Sequence, residues 1–401
     1  MVKINKTLIS GSLILLITFN IFNFLNFIFH FFMARMLTAA DYGILATLFS
    51  IIYMTGIFSE SIQTIIAKYS ASEKNPGKLK NLFLRTIKKS LKISLLVFIV
   101  FAFAAMPLSF LLKIPYLLLT STGLMIFAAF LPPVTRGTMQ GTKMFKTLGF
   151  NLIIESFIKL GLSIFLVFIG WKVYGAITAT IIAAIIAFVL SLLALKKILK
   201  SKEKFMETKG IYAYSWPVLF ILFNVMIFYS LDIIIAKIIF SNDIAGYYAI
   251  ASILAKTIFF GTQPISKALF PLSAEKKQPG GSHQLLINAI GIVLLCIFAS
   301  LIVLYFFPSL LIKIFSGRVI IESVNIVFYL GIAFSLTSLT NLILLYKLSL
   351  RKTKSYLIFL IFPMIEVALL LLFSHNIIEY SLALVTASAI FLWGSILLLD
   401  R

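Results

Sequence analysis

Long apolar runs separated by short polar breaks fill the whole chain. They cover residues 8–36, 42–68, 82–112, 116–140, 148–170, 173–198, 212–240, 244–272, 284–312, 322–347, 355–374 and 377–399. About 20 apolar residues cross a hydrocarbon layer roughly 30 Å thick, so this pattern predicts twelve membrane-spanning helices. The longer runs predict tilt or extension beyond the bilayer. The strands of a membrane barrel would be about 10 residues long with period-two alternation, and that pattern is not seen. The expected fold class is an all-α polytopic membrane protein.

The breaks carry the next signal. Lys68, Lys74, Lys78, Lys80, Arg85, Lys88 and Lys89 lie around the second break, and Lys196, Lys197, Lys200, Lys202, Lys204 and Lys209 around the sixth. Lys347, Arg351, Lys352 and Lys354 lie around the tenth, and Lys276 and Lys277 make a modest eighth. The odd-numbered breaks are sparse: Asp41, Lys113, Lys172, Asp243, Lys313 with Arg318, and Glu379. This alternation is the positive-inside pattern. It predicts a multi-pass protein of the cytoplasmic membrane with both termini cytoplasmic. It also accounts for the formal net charge of +22 without a nucleic-acid partner, anionic lipid being the natural neighbour of such loops. Lys3 and Lys6 before the first run suggest a secretion signal, but the run is too long for one and no small-residue cleavage site follows. A retained first helix is expected.

The chain also repeats itself. Ala34-Arg-Met-Leu-Thr-Ala-Ala-Asp-Tyr-Gly43 is echoed by Ala236-Lys-Ile-Ile-Phe-Ser-Asn-Asp-Ile-Ala-Gly246. Gly43 and Gly246 stand 203 positions apart, as do Pro76-Gly77 and Pro279-Gly280. Six spans per half make the two halves enter from the same side, so the duplication is parallel, with its axis along the membrane normal. The expected organisation is an N-terminal six-helix bundle over 1–200, a charged cytoplasmic linker over 201–210 and a C-terminal six-helix bundle over 211–401. In that picture the two hairpins superpose about a central axis.

Candidate chemistry is sparse. Cys296 is a single cysteine, and His30, His283 and His375 have no metal-ligand spacing. No phosphate loop or nucleophile elbow is present, and the external loops are too short to house an enzyme's acids. Transport is therefore expected over catalysis. Ionisable groups at membrane depth are costly and mark functional sites by default; these are Glu60, Arg136, Glu155, Lys159, Asp232, Lys256 and Glu366. Asn20, Asn23, Asn26 and His30 share one helix face. Interhelical bonding worth about 1 kcal/mol or less each is the bland alternative for them. Phe49, Tyr53, Gly56, Glu60 and Gln63 form a second stripe; the first four are matched 203 positions on by Ser252, Lys256, Phe259 and Gln263, and Lys267 extends that face by a turn. If the halves face one another, both stripes line one cavity; the bland alternative is a Glu60–Lys256 pair. Glu155 and Lys159, at i and i+4, predict a local ion pair. Asn224 and Asp232 are polar points in the seventh span, with Asp232 a candidate protonatable or Na⁺-sensitive group or the counter-ion of a lysine. Pro132-Pro133, Pro217, Pro264 and Pro363 predict kinks.

Ala34–Gly43, Arg136-Gly-Thr-Met-Gln-Gly141 with Phe145, Val173-Tyr-Gly-Ala176, Asp232–Tyr247 and Phe270-Pro271 together resemble the polysaccharide transporter family. This is the group of O-antigen and exopolysaccharide repeat-unit flippases within the multidrug/oligosaccharidyl-lipid/polysaccharide flippase superfamily. The resemblance spans essentially the whole chain. It implies two six-helix bundles around a central cavity, and alternating access that moves a polyprenyl-diphosphate-linked oligosaccharide outward for polysaccharide biosynthesis. No ATP motif exists, so energy is expected from an H⁺ or Na⁺ gradient or from substrate consumption outside; no cofactor is expected, and a monomer in membrane lipid is. The resemblance implies a cavity lined mainly by spans one, two, seven and eight, and the candidate cavity residues read from the stripes and deep charges are Asn20, Asn23, Asn26, His30, Arg35, Glu60, Gln63, Arg136, Lys159, Asn224, Asp232, Lys256, Gln263 and Lys267. Arg35, Arg136, Lys256 and Lys267 would attract the diphosphate, and the amides would bond sugar hydroxyls. A cation-coupled multidrug or small-molecule exporter of the same superfamily is the alternative, kept open by Glu60 and Asp232.

Overall fold

An unpaired backbone amide in hydrocarbon costs several kcal/mol, so a spanning chain pairs its own amides as helix. The structure is a computed structural model and describes residues 6–207, 215–275, 279–350 and 356–398. Among these residues all regular structure is helical. Lys3, Lys209, Lys276, Lys277, Arg351, Lys352 and Lys354, and residues 208–210 of the expected linker, lie outside the described residues.

The elements are α1 (Lys6–Met36), α2 (Ala39–Ser72), α3 (Pro76–Leu112), α4 (Tyr116–Gly123), α5 (Met125–Phe130), α6 (Pro132–Gly141), α7 (Phe145–Leu166) and α8 (Lys172–Ala194). They continue as α9 (Lys196–Leu199), α10 (Ser215–Ile239), α11 (Asn242–Glu275), α12 (Pro279–Phe306), α13 (Pro308–Ser316), α14 (Ile321–Ser349), α15 (Ile361–Leu372) and α16 (Ile377–Leu397). Ten helical stretches among the described residues are long and apolar enough to cross a membrane. One of them, 145–194, reverses direction at Gly170, whose φ of +96° only glycine adopts without strain, so that α7 and α8 pack side by side. Residues 356–372 form a shorter apolar helix that begins as a 3₁₀ turn over Tyr356–Leu360. Counted with the reversal, these are the twelve apolar segments that the sequence pattern predicts.

Two segments differ from that pattern, each for a backbone reason. The ninth run, read as continuous to 312, breaks at Phe307 (φ −127°, ψ 37°). Pro308 has no N–H and disfavours helical geometry in the residue before it, so it opens the separate α13. The fourth run is three helices, and the Pro132-Pro133 pair starts the last of them.

The repeat is visible in the backbone. α1 and α10 end, and α2 and α11 begin, at residues 203 positions apart (Met36 and Ile239, Ala39 and Asn242). Thr38 Oγ1 accepts from the Asp41 N–H at 3.1 Å, and Ser241 Oγ accepts from the Ile244 N–H at 3.5 Å. These are the same cap at the same offset. The Tyr42 N–H donates to the Thr38 carbonyl and the Ala245 N–H to the Ser241 carbonyl, both at 2.9 Å.

The chain divides into two compact units, Met1–Met36 with Thr55–Ser215 and Leu37–Met54 with Trp216–Arg401. In the first unit α1 packs on α7, α7 on α8, and α3 on α4, α5 and α6. Phe83, Val134, Met139, Leu148, Leu152 and Leu195 form a buried cluster there. Residues 201–207 run along α3: Lys80 Nζ donates to the Ser201 carbonyl at 3.0 Å, Asn81 Nδ2 to Glu203 Oε1 at 2.7 Å, and an Arg85 guanidinium N–H to the Met206 carbonyl at 3.1 Å. In the second unit α14 is central, packed on α11, α12, α13 and α16. Gly43 and Gly246 meet there backbone to backbone; a Cβ on Gly43 would stand 2.9 Å from the Gly246 Cα. Hydrocarbon gives helices little hydrophobic reason to associate, and small residues that let backbones approach supply the contact instead. Large apolar side chains such as Phe103, Phe110, Phe168 and Leu295 are exposed, as lipid-facing residues of a membrane protein are.

Candidate functional site

Among the described residues, two clusters gather deep charges, one in each unit, while buried Lys237 and Lys347 stand apart from both. In the first unit Arg136 on α6 faces α7. Its Nε donates to Asn151 Oδ1 at 3.0 Å, and its terminal nitrogen pairs with Glu155. Asn151 is itself fixed, its Nδ2 donating to the Ala187 carbonyl of α8 at 2.7 Å. One turn further along α7, Lys159 donates to Asn26 Oδ1 of α1 and lies 4.4 Å from the Phe29 ring centroid. Asn26 Nδ2 donates back along α1 to the Phe22 carbonyl at 2.8 Å. The expected Glu155–Lys159 pair is thus replaced. The guanidinium, with its fork of donors, takes Glu155 and Asn151 together, and Lys159 turns to α1. Gln63 on α2 donates from Nε2 to Gln140 Oε1 on α6 at 2.9 Å.

In the second unit Asp232 on α10 is fully buried and fully engaged. Lys256 Nζ donates to Oδ1 at 2.8 Å, Ser252 Oγ to Oδ2 at 2.6 Å and the Tyr248 hydroxyl to Oδ2 at 3.2 Å. Tyr380 on α16 donates to the Asp232 backbone carbonyl at 2.6 Å. The Lys256 ammonium also lies 4.5 Å from the Tyr229 ring and 5.0 Å from the Phe334 ring. The cation is therefore held by one carboxylate and two aromatic faces. Within the second unit, then, the partner of Lys256 is Asp232. Asn224, a little over two turns of α10 before Asp232, donates to the Phe220 carbonyl at 2.8 Å and leaves Oδ1 without a partner among the described residues. Lys237, fully buried, donates to Asn242 Oδ1 at 2.5 Å and so ties the end of α10 to the start of α11.

The remaining expected residues are dispersed. His30 is buried, with its ring 5.2 Å from that of Phe29. Arg35 is exposed, its guanidinium 4.5 Å from the Phe31 ring. Asn20, Glu60 and Lys267 are exposed, and Asn23 and Gln263 half-buried. Sequence reasoning missed Tyr380 and Asn151 as members of these clusters. Asn151 stands at i−4 from Glu155, a signal present in the spacing. Tyr380 is 148 positions from Asp232 and left none. The spacing Tyr248, Ser252, Lys256 puts three polar groups on one face of α11, and that face is the one turned to Asp232.

A family model described as Polysaccharide biosynthesis protein matches residues 32–325. The chain belongs to this family. An uncharacterized membrane protein of Methanocaldococcus jannaschii is 26% identical over 391 residues, covering 92% of each chain. Among solved structures, a multidrug resistance transporter of the MATE family in the MOP superfamily, in an inward-facing conformation, superposes with a TM-score of 0.74. The alignment covers 93% of each chain at 13% identity. The lipid II flippase MurJ, in an inward closed conformation, superposes with a TM-score of 0.71 at 16% identity, over 95% of this chain and 87% of that one. This member of the polysaccharide biosynthesis family therefore has the fold shared by those two transporters, and it is a multi-pass membrane protein.

Proposed function

We propose that the protein is a flippase that carries lipid-diphosphate-linked oligosaccharide repeat units across the cytoplasmic membrane by alternating access, as a step in polysaccharide biosynthesis. The observation that carries this reading is the family match over residues 32–325 in a chain with the fold of a lipid II flippase. The family match supports polysaccharide as the product, and the likeness to a lipid II flippase supports movement of a lipid-linked glycan. The side chains fit the cargo. Arg136 presents a half-buried guanidinium, the group best suited to a diphosphate. Arg35 and Lys267 present exposed cations, and Asn20, Asn23, Gln63 and Gln263 present amides able to exchange bonds with sugar hydroxyls. His30, Glu60 and Lys159 in the first unit, and Asn224, Asp232 and Lys256 in the second, are the further candidate residues. The protein works as a monomer with both termini in the cytoplasm, without nucleic acid or cofactor.

Deleting the gene in its source organism is expected to stop surface polysaccharide and to leave lipid-linked repeat units accessible only from the cytoplasmic side. Normal surface glycan in the deletion strain overturns the reading. The MATE-like superposition favours a second reading, a cation-coupled small-molecule exporter. Dye efflux from proteoliposomes driven by an ion gradient, with no movement of lipid-linked sugar, would decide for it.

A further inference from the structure

Glu366 on α15 has no exposed surface, and neither of its carboxyl oxygens has a hydrogen-bond partner among the described residues. Asp232 on α10, Lys256 and Tyr248 on α11, and Tyr380 on α16 are within electrostatic reach. The 3₁₀ turn packed against the same helix brings Tyr356, whose ring instead meets Phe220 at 5.4 Å. Charge can then be counted. Asp232 and Lys256 neutralise one another at 2.8 Å. A second carboxylate beside them would be a bare charge in an apolar interior, and a carboxyl group so placed keeps its proton instead. A metal ion is a poor occupant. The Lys256 ammonium already stands where a cation would meet Asp232 and repels another. Glu366 also lacks the further oxygens that a hard metal ion gathers, typically about six or more. No group of three metal-ligating side chains suited to a metal ion occurs among the described residues. A proton needs only one oxygen.

We propose that Glu366 is a proton-binding site of the second unit, loaded in the sealed arrangement seen here and emptied when α10, α11 and α15 repack and admit water, so that translocation is coupled to H⁺. On emptying, the O–H bond of the carboxyl breaks, the electron pair stays on Glu366 and the proton passes to water. Lys256 then faces two carboxylates in place of one, which draws it from Asp232 and favours a different packing of α11. The coupling rests on the flippase reading; the proton site does not, and the test separates them.

Infrared difference spectra of the purified full-length protein at neutral pH are expected to show the carbonyl stretch of a protonated carboxyl group. That band should vanish in Glu366→Gln and in Glu366→Met, two neutral replacements of similar size, and persist in Glu155→Gln. Absence of the band, its persistence in both Glu366 variants, or its loss when sodium replaces choline at equal ionic strength overturns the site. In proteoliposomes carrying a lipid-linked oligosaccharide, an imposed pH gradient should speed wild-type transport several-fold and leave Glu366→Gln unchanged. An equal response in both overturns the coupling. Absence of any wild-type transport overturns the flippase reading, and the infrared arm still decides the proton site.

Discussion

Asp232 and Glu155 each take a cation from the helix next to their own, Lys256 of α11 and Arg136 of α6, yet the two pairs are built differently. The Asp232–Lys256 side chains are 0% and 2% exposed. Every oxygen of that carboxylate is committed, to Lys256, Ser252 and Tyr248. The Glu155 and Arg136 side chains are 22% and 11% exposed, and the guanidinium is held at one edge by Asn151. Ion pairs that look alike in sequence therefore differ in what a ligand can reach. The sealed pair is neutral as a whole and closed to a ligand, and the proposed proton on Glu366 acts against that neutral pair. The half-buried pair keeps donor capacity at a surface, which an anionic cargo requires.

Removing one partner from the sealed pair is the harshest way to break this contrast. Lys256→Met leaves Asp232 as an uncompensated buried charge, at an expected cost of about 3–5 kcal/mol. Thermal unfolding of the detergent-solubilised protein reads it. Asp232→Asn combined with Lys256→Met should recover a large part of that loss, since neutralising both partners removes the stranded charge. A double variant as unstable as the single one would show that Lys256 acts by packing, not by charge.

Arg136→Met tests the half-buried pair. It strands Glu155 and one oxygen of Asn151, and water can reach part of what it strands. A loss of about 1–3 kcal/mol follows. If Arg136 also meets the diphosphate, transport falls far more than stability. A loss equal to that of Lys256→Met would erase the distinction drawn from exposure.

These contrasts also mark how far the sequence was legible. Twelve apolar segments could be read because hydrocarbon leaves the backbone no choice but helix. The repeat could be read because Gly43 and Gly246 are constrained by the same backbone approach, and Thr38 and Ser241 by the same cap. The deep charges announced themselves because charge in a membrane is costly. Their partners did not. The i,i+4 rule pointed Glu155 at Lys159, but local spacing says nothing of Arg136, which arrives from another helix with better geometry. Nor does anything near Asp232 foretell Tyr380 of α16. Glu366 was visible as a deep acid, but its lack of partners is a property of packing alone.

Lys159→Met sharpens the comparison by repeating the Lys256 substitution in the first unit. Lys159 is buried too, but its hydrogen-bond acceptor, Asn26, is neutral, and Asn26 keeps its bond to the Phe22 carbonyl. Glu155, which also feels the Lys159 charge, keeps its pair with Arg136, so a change of about 1 kcal/mol or less is expected. A loss approaching that of Lys256→Met would mean that the Glu155 carboxylate depends on Lys159 as much as on Arg136.

The smallest effect belongs to a pair outside the membrane-spanning segments, Glu73 with Lys78 at 3.3 Å, at the corner between α2 and α3. The Asn75 N–H, donating to the carboxylate at 2.8 Å, is the main cause that holds Glu73 below the usual carboxylate range, and Lys78 and the Lys74 N–H add to it. A carboxyl group whose folded value is lowered contributes stability above its unfolded value, near pH 4.3 for glutamate. That contribution fades as pH falls through the lower folded value. Glu73→Gln should therefore melt slightly below wild type at neutral pH, and the two should converge on acidification. Solvent screens this corner, so the shift should be the least of the four. A gap that widens at low pH would reverse the sign and remove Glu73 from the scale that runs from the sealed pair through the half-buried one to this pair at the helix corner.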